Sequence, residues 1–318
     1  MVKGLYPHPM LIPVRELGAT GLTVSRLGLG LAALGRPAYI NSGRQEDFGT
    51  DRSVAAFERR CHEMLDAAYA AGVRYVDTAR SYGEAEHFLG TWLRARNPAK
   101  DAITIGSKWG YTYVGSWRVD ASVHEVKDLS IETLRRQIGE SRSRLGDRLQ
   151  LYQIHSATLE SGILENESVL RELLQLRSTG LVVGLTVSGP AQADVIRRAF
   201  DVDIDGVNPF QVVQATWNLL ERSAGGALAE AKARGWGVIV KEALANGRLT
   251  DHGDGARVAL AAALSQPWAD VVLSGAVTPE QLESNLNAVA LSQTGGDWPE
   301  IAESPSEYWT RRSALPWR

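Results

Sequence analysis

Short apolar runs recur along the chain at residues 27–29, 75–77, 103–107, 149–154, 183–187, 207–214, 237–240 and 271–273, each ending in a polar or glycine-containing segment. Near-continuous apolar runs of this length predict strands buried on both faces, as in a parallel sheet. Between them the apolar positions move to helical spacing. Residues 53–71 carry Ala56, Cys61, Met64, Leu65 and Ala68, and residues 166–179 carry Val169, Leu170, Leu173, Leu174 and Leu176 before Gly180. Residues 130–145 open on Ser130 and residues 278–290 on Thr278-Pro279-Glu280, a cap followed by proline at the first helical position.

Eight strands alternating with helices predict an α/β fold, a closed (β/α)8 TIM barrel. An open doubly wound sheet is less suited: Gly28-Leu-Gly30 is followed by Leu31-Ala-Ala-Leu-Gly35, so the Gly-x-Gly-x-x-Gly turn is absent. Residues 14–25 read as an N-terminal β-hairpin that plugs the bottom of the barrel. Two long loops, 35–52 and 109–127, would open on the C-terminal rim, and loops of such length are usually functional. The tail, 291–318, has two open placements: over the mouth of the site or against the outer helices. Residues 1–318 are expected to form one domain.

Composition narrows the partners. The 318 residues are 44% hydrophobic and 22% charged, with a net charge of −3. No basic block exceeds a pair, which argues against nucleic acid and anionic membranes as partners. The single cysteine, Cys61, excludes an internal disulfide and a multi-cysteine metal site, and no metal is expected. Without a signal-length apolar segment or a run of about 18 apolar residues, a cytoplasmic protein is the default expectation.

Four titratable residues fall at or just beyond consecutive strand ends: Asp77, Tyr82, Lys108 and His155. In a parallel barrel these ends share one rim, where catalytic groups stand. A tyrosine is a reluctant acid at neutral pH. An adjacent ammonium would lower its pKa, and a carboxylate would keep that ammonium charged. Asp77 would thus hold Lys108, Lys108 would tune Tyr82, and His155 would hydrogen-bond a carbonyl oxygen.

The segment Gly72-x-x-x-x-Asp77-Thr78-Ala79-x-x-Tyr82-Gly83-x-x-Glu86-x-x-Leu89-Gly90 resembles the signature of the aldo-keto reductases. The similarity extends from the Leu17-Gly-x-Thr20-Gly21 hairpin through Lys108 and Ile154-His155 to Gly275-Ala276 and Gln281-Leu-Glu-Ser-Asn285. It implies NAD(P)(H)-dependent interconversion of a carbonyl (aldehyde, ketone or sugar) and an alcohol, with Asp77, Tyr82, Lys108 and His155 as the catalytic tetrad. It also implies a dinucleotide extended across the rim, with Thr186 and Gln214 at the carboxamide, Leu244, Gly247 and Leu249 around the pyrophosphate, and Gly275, Thr278, Gln281 and Asn285 toward the adenosine.

Departures from the family pattern stand at Val187, Lys241, Val277 and Ser284. Val187 cannot contact the carboxamide by its side chain, leaving Ser188 and Gly189 as substitutes. Lys241 replaces an aromatic, and its head is expected to turn from the nicotinamide toward Glu242. Val277 replaces a common basic residue, so family frequency favours NADP(H) while the missing charge leaves NAD(H) open. Candidate substrate walls are Tyr39, Trp109, Tyr111, Trp117 and Trp217. The departures motivate an alternative, a nucleotide-sensing regulatory protein with little turnover. A third reading makes Lys108 the Schiff-base nucleophile of a lyase or aldolase, against which Asp77 argues.

Overall fold

The computed structural model describes residues 12–39, 45–250 and 253–317. The hairpin of β1 (Val14–Glu16) and β2 (Thr23–Ser25) precedes β3 (Leu27–Gly30), α1 (Val54–Ala70), β4 (Tyr75–Asp77), α2 (Ala85–Arg96) and β5 (Thr104–Trp109). A second hairpin, β6 (Tyr111–Tyr113) and β7 (Glu125–Lys127), leads to α3 (Ile131–Leu145), β8 (Leu149–Ala157), α4 (Glu167–Ser178), β9 (Val182–Val187) and α5 (Gln192–Phe200). The chain continues through β10 (Val212–Thr216), α6 (Gly225–Ala233), β11 (Gly237–Lys241), α7 (Gly255–Leu264), β12 (Val271–Ser274), α8 (Pro279–Gln293) and α9 (Pro305–Ser313). Strands β3, β4, β5, β8, β9, β10, β11 and β12 close into a parallel barrel in that order.

Helix starts follow the capping signals. Ser53, Ser130, Asn166 and Thr278 each accept a hydrogen bond from the backbone N–H three residues on, at 3.2–3.3 Å. Each satisfies a donor that the first helical turn leaves without a partner. Two expectations change. The run 207–214 becomes a strand only from Val212, because Pro209 has no N–H for a ladder and Val207 forms an isolated bridge with Ile204. The loop 109–127 contains the antiparallel hairpin β6–β7, with Tyr111 opposite Lys127 and Tyr113 opposite Glu125.

The β1–β2 hairpin closes the lower end of the barrel. Leu17 and Val24 are fully buried against Tyr75, Leu151, Val182, Val212, Ile239 and Val271, which point into the barrel. Gly237 makes room for Leu17, since a Cβ there would lie 2.6 Å from Leu17 Cγ. Buried Asp270 fixes the hairpin by accepting from the N–H groups of Gly18 (3.2 Å) and Val238 (3.0 Å) and from Lys232 Nζ (2.6 Å).

The tail crosses the opposite end. Tyr308 and Trp309 of α9 pack with Leu220 and Ala245. Tyr308 Oη accepts from Asn218 Nδ2 at 3.0 Å, and Glu303 pairs with Arg248. No helix among the described residues is long and apolar enough to span a membrane.

Candidate active site

Asp77 ends β4 and Lys108 lies near the end of β5, so parallel pairing brings both to one rim. Lys108 Nζ forms an ion pair with Asp77 Oδ1 and donates to Thr78 O at 2.9 Å and to Tyr82 Oη at 3.3 Å. The other carboxylate oxygen, Asp77 Oδ2, accepts from Tyr75 Oη at 3.0 Å and Gln214 Nε2 at 2.9 Å. Asp77 and Lys108 are buried, and such a pair is stable only when its remaining polar atoms are bonded. The two aromatic rings of Tyr82 and His155 meet edge to face, 5.6 Å between centroids, and Tyr111 flanks His155 from another side at 5.0 Å.

A tight turn aims Tyr82. Gly83 takes φ +60°, and a Cβ there would lie 2.3 Å from Gly35 O. Glu84 N donates to the same carbonyl at 2.8 Å, tying the turn to the loop after β3. Below it, buried Glu86 accepts from Arg80 Nη1 (2.7 Å), Ser107 Oγ (2.6 Å) and Ser141 Oγ (2.7 Å). This carboxylate locks the turn to β5 and α3, a structural reason for an acid at that position of the signature.

The electrostatics correct one expectation. Lys108 was expected to bring the Tyr82 phenol down, yet the phenol is pushed well above its usual 10. Burial is the main cause and the Asp77 carboxylate the next, with Arg36 acting in the opposite direction. The phenol therefore stays protonated at neutral pH. His155 moves the other way, well below 6.5, through burial and then through the cations Lys108, Arg36, Lys241 and Lys127. Its imidazole is neutral, with Ser81 Oγ 3.4 Å from Nδ1.

These groups open into a cavity of about 470 Å³. Of the residues proposed from sequence, Asp77, Tyr82, His155, Gln214, Leu244, Gly247, Gly275, Gln281, Asn285, Tyr39 and Tyr111 line it. Three of the proposed substrate walls do not. Trp109 is fully buried, Trp117 packs on Phe57 and Phe88 with Nε1 donating to Arg52 O, and Trp217 packs on Trp268. Large apolar rings near a rim find more buried area beneath the loops than in a polar cavity. Thr186, Leu249 and Thr278 also lie off the lining: Thr186 Oγ1 accepts from Ser156 N at 2.7 Å, Leu249 packs near Tyr308 and Trp309, and Thr278 caps α8.

The sequence reading missed lining residues that a long loop and the tail deliver, Arg36 and Arg312 among them, whereas Lys241 and Glu242, named from the sequence, stand beside them on the cavity wall. Arg36 lies over the rings of Tyr39, Tyr82 and Trp317 and pairs with Glu125 at 2.8 Å. Glu242, at φ +55°, receives Arg312 from α9 through contacts of 2.5–3.1 Å. Burial acts to raise the Glu242 pKa, but Arg312 and Lys241 outweigh it and hold the group at about 2. Lys241 Nζ donates to Thr216 Oγ1 (2.8 Å) and Ser188 Oγ (3.3 Å), with Glu242 at 4.0 Å. Periodicity carries no signal for such contacts, because each joins segments far apart in the chain.

The lining suits an extended polar ligand such as a dinucleotide. A Cβ at Gly189 or Gly275 would meet nothing within 4 Å, so the backbone there is open to close approach. At the α8 end Gln281 and Asn285 present amides, Gln281 Nε2 donating to Asp47 Oδ2 at 2.7 Å and Asn285 Nδ2 to Ser274 Oγ at 2.9 Å.

The aldo/keto reductase family model matches residues 26–255. Pyridoxal 4-dehydrogenase of Microbacterium luteolum is 28% identical over 222 residues, covering 60% of this chain and 59% of that protein. NADH-specific methylglyoxal reductase of Escherichia coli is 26% identical, covering 65% of this chain and 59% of that protein. The chain therefore spans about three-fifths of the length of these two relatives. D-threo-aldose 1-dehydrogenase of Pseudomonas sp. is 25% identical, with 90% of this chain and 95% of that protein covered. A solved candidate aldo-keto reductase from Pseudomonas aeruginosa superposes with a TM-score of 0.67 at 29% identity, covering 88% and 96% of the two chains.

Proposed function

This chain belongs to the aldo/keto reductase family, and on that premise we propose that it interconverts a small carbonyl compound and an alcohol by hydride transfer with a nicotinamide cofactor. We read the tetrad as its proton machinery and the whole chain as one catalytic domain. The observation that carries this reading is the Tyr82 hydroxyl, 3.3 Å from Lys108 Nζ and beside neutral His155 in a cavity.

When bound, the cofactor supplies or accepts the hydride. The protein's part is to place the carbonyl oxygen and to move one proton. Neutral His155 retains one N–H to donate to that oxygen. As the oxygen gains charge, the Tyr82 Oη proton passes to it, and the Lys108 ammonium stabilises the phenolate left behind. In the alcohol-oxidising direction the same phenolate takes the proton back. A high phenol pKa suits this role, because the proton leaves only when charge develops on the acceptor. Lys108 spends its N–H groups on Asp77, Thr78 O and Tyr82 Oη, which supports a fixed charge over a Schiff-base nucleophile.

Gln214, Leu244, Gly247, Gly275, Gln281 and Asn285 would hold the dinucleotide. The relatives' names point both ways for cofactor choice: the Escherichia coli protein is NADH-specific, and an aryl-alcohol dehydrogenase of Phanerodontia chrysosporium is named for NADP(+). Here Val277 supplies no charge and Asp47 adds a carboxylate, which favours NAD(H) over the NADP(H) expected from family frequency.

The test is Tyr82→Phe. Reduced cofactor should bind as before by fluorescence titration, while turnover across aldehydes, ketones and sugars falls by roughly 10²–10⁴-fold. Near-normal turnover in that variant overturns the assignment.

A further inference from the structure

A buried arginine lies against the ring of Tyr82. The guanidinium carbon of Arg36 is 5.1 Å from the ring centroid of Tyr82, 5.2 Å from that of Tyr39 and 4.6 Å from that of Trp317. Arg36 is only 3% exposed and lines the same cavity as these three rings. Trp317 comes from the tail and stacks on His124, with ring centroids 4.5 Å apart.

The loop after β3 brings the arginine there. Gly35 permits its close approach to the Tyr82 turn, since a Cβ at that position would lie 2.2 Å from Tyr82 O. The Arg36 side chain then holds the same turn. Nη1 donates to Ser81 O at 3.0 Å and to Glu125 Oε2 at 2.8 Å, and Nε donates to Ala32 O at 3.2 Å. Acceptors from the loop, the turn and β7 thus fix the guanidinium in orientation. A buried ion pair is weak evidence for stability by itself, because desolvation offsets much of the attraction. What this one supplies is a fixed positive charge against an aromatic ring.

That charge acts differently on the two states of Tyr82. A cation is attracted to the electron density of an aromatic ring. Ionising the phenol spreads negative charge into the ring, so the attraction grows as the proton leaves. An interaction that strengthens along the reaction raises the rate and does not merely improve binding. The titratable groups around Tyr82 are Lys108 at the hydroxyl, Asp77 on β4, Glu125 on β7, His155 on β8, Glu242 at the end of β11, and the phenols of Tyr39 and Tyr75. His155 is neutral, and Lys108 is paired with Asp77. Asp77, Glu125 and Glu242 oppose ionisation of the phenol, and Arg36 favours it by more than either glutamate opposes it. Glu125 therefore subtracts from the effect of the arginine it holds.

We propose that Arg36 is a positioning residue for proton transfer: it holds the Tyr82 ring and stabilises the phenolate through that ring, while Lys108 does so at the oxygen, and Glu125 sets how strongly Arg36 acts. The inference rests on reading Tyr82 as the proton donor. The rival is a loop staple, in which Arg36 only joins the loop after β3 to the β6–β7 hairpin.

Opposite signs separate the two roles. Fluorine NMR of the full chain, with a ring-difluorinated tyrosine at position 82, reads the phenol without cofactor or turnover. Ring fluorine makes the phenol more acidic and brings its ionisation toward the range where the fold persists. Arg36→Met should move the midpoint up by about one pH unit, about a tenfold change in the ionised fraction. Arg36→Lys should recover most of that shift. Glu125→Gln keeps an acceptor for the guanidinium but removes the charge, so it should move the midpoint down. The basic limb of the kcat/KM profile for alcohol oxidation should move in the same order. Coincident midpoints in all variants overturn the proposal and leave the staple, as does an upward shift in Glu125→Gln. If Arg36→Met does not fold, the sign of the Glu125→Gln shift decides alone. Midpoints that move as expected in a protein that reduces no carbonyl uphold the action of Arg36 on Tyr82 and overturn the reductase reading. Turnover that is lost in Tyr82→Phe while the midpoints coincide upholds the reductase reading and overturns this proposal.

Discussion

Arg312, in the last helix, grips Glu242 at the end of β11 from outside the barrel sequence, through contacts of 2.5–3.1 Å. Glu242 is buried and Arg312 is mostly so, with 23% of its side chain exposed. Removing the arginine would leave a buried carboxylate with Lys241 alone. Arg312→Ala should cost about 2–4 kcal/mol, measured by urea unfolding, and should raise KM by loosening the tail over the cavity.

The same pair sets an acid limit. The Glu242 pKa falls from an ordinary 4.5 to about 2 in the folded protein. A depressed carboxylate stabilises fully above its unfolded pKa, and this stabilisation is lost as pH falls through the folded value. Urea midpoints should therefore decline between about pH 4.5 and 2, with Glu242 contributing about 3 kcal/mol of the loss. Glu242→Gln should remove that share of the slope; an unchanged slope would contradict the ion-pair account.

Lys241 works with the opposite sign of charge. Its pKa drops from 10.5 to about 8, through burial first, then with Glu242 raising it, Arg312 and Lys108 lowering it and Asp77 raising it. The folded form thus binds fewer protons than the unfolded one between about pH 8 and 10.5, and this group adds stability as pH rises through that window. Urea midpoints should show this rise between about pH 8 and 10.5, and Lys241→Met should remove it.

Tyr75 positions Asp77 from within the barrel, donating to Oδ2 at 3.0 Å. Its hydroxyl fits because β5 carries glycine at the position paired with Asp77: a Cβ at Gly106 would lie 2.4 Å from Tyr75 Oη. Tyr75→Phe should cost about 1.5–3 kcal/mol, the usual range for a hydrogen bond to a charged group. Gly106→Ala should be destabilising in the native background and less so with Phe at position 75. A double-mutant cycle by urea unfolding measures that coupling, and additive costs would argue against the contact.

Asp47 bears on cofactor choice. Its carboxylate accepts from Gln281 Nε2 at 2.7 Å, and if Gln281 holds the adenosine end as proposed, a phosphate on that end meets like charge. Fluorescence titration should show NADH binding more tightly than NADPH. Asp47→Asn should narrow the difference by about tenfold, equivalent to about 1.4 kcal/mol. Tight NADPH binding that is indifferent to Asp47→Asn would restore the expectation from family frequency.

The barrel and the rim positions of Asp77, Tyr82, Lys108 and His155 were legible in the chain, because alternating apolar runs and capping residues are local signals and parallel strands align their ends. The same signals overextended β10 across Pro209 and missed the β6–β7 hairpin, where the tertiary setting decided the pairing. The sequence suggested tryptophans as pocket walls, while packing drew Trp109, Trp117 and Trp217 out of the cavity and left Arg36, Lys127, Trp309 and Arg312 in it. The direction of the Tyr82 shift was also out of reach, since it depends on how far burial and Asp77 outweigh the opposing cations. Local chemistry thus picked out the tyrosine, the lysine and the histidine that parallel pairing brings to one rim. Only the three-dimensional closure of loops and tail over the barrel decided the charge of the cavity they share, because Coulomb fields and desolvation depend on distances through space and not along the chain.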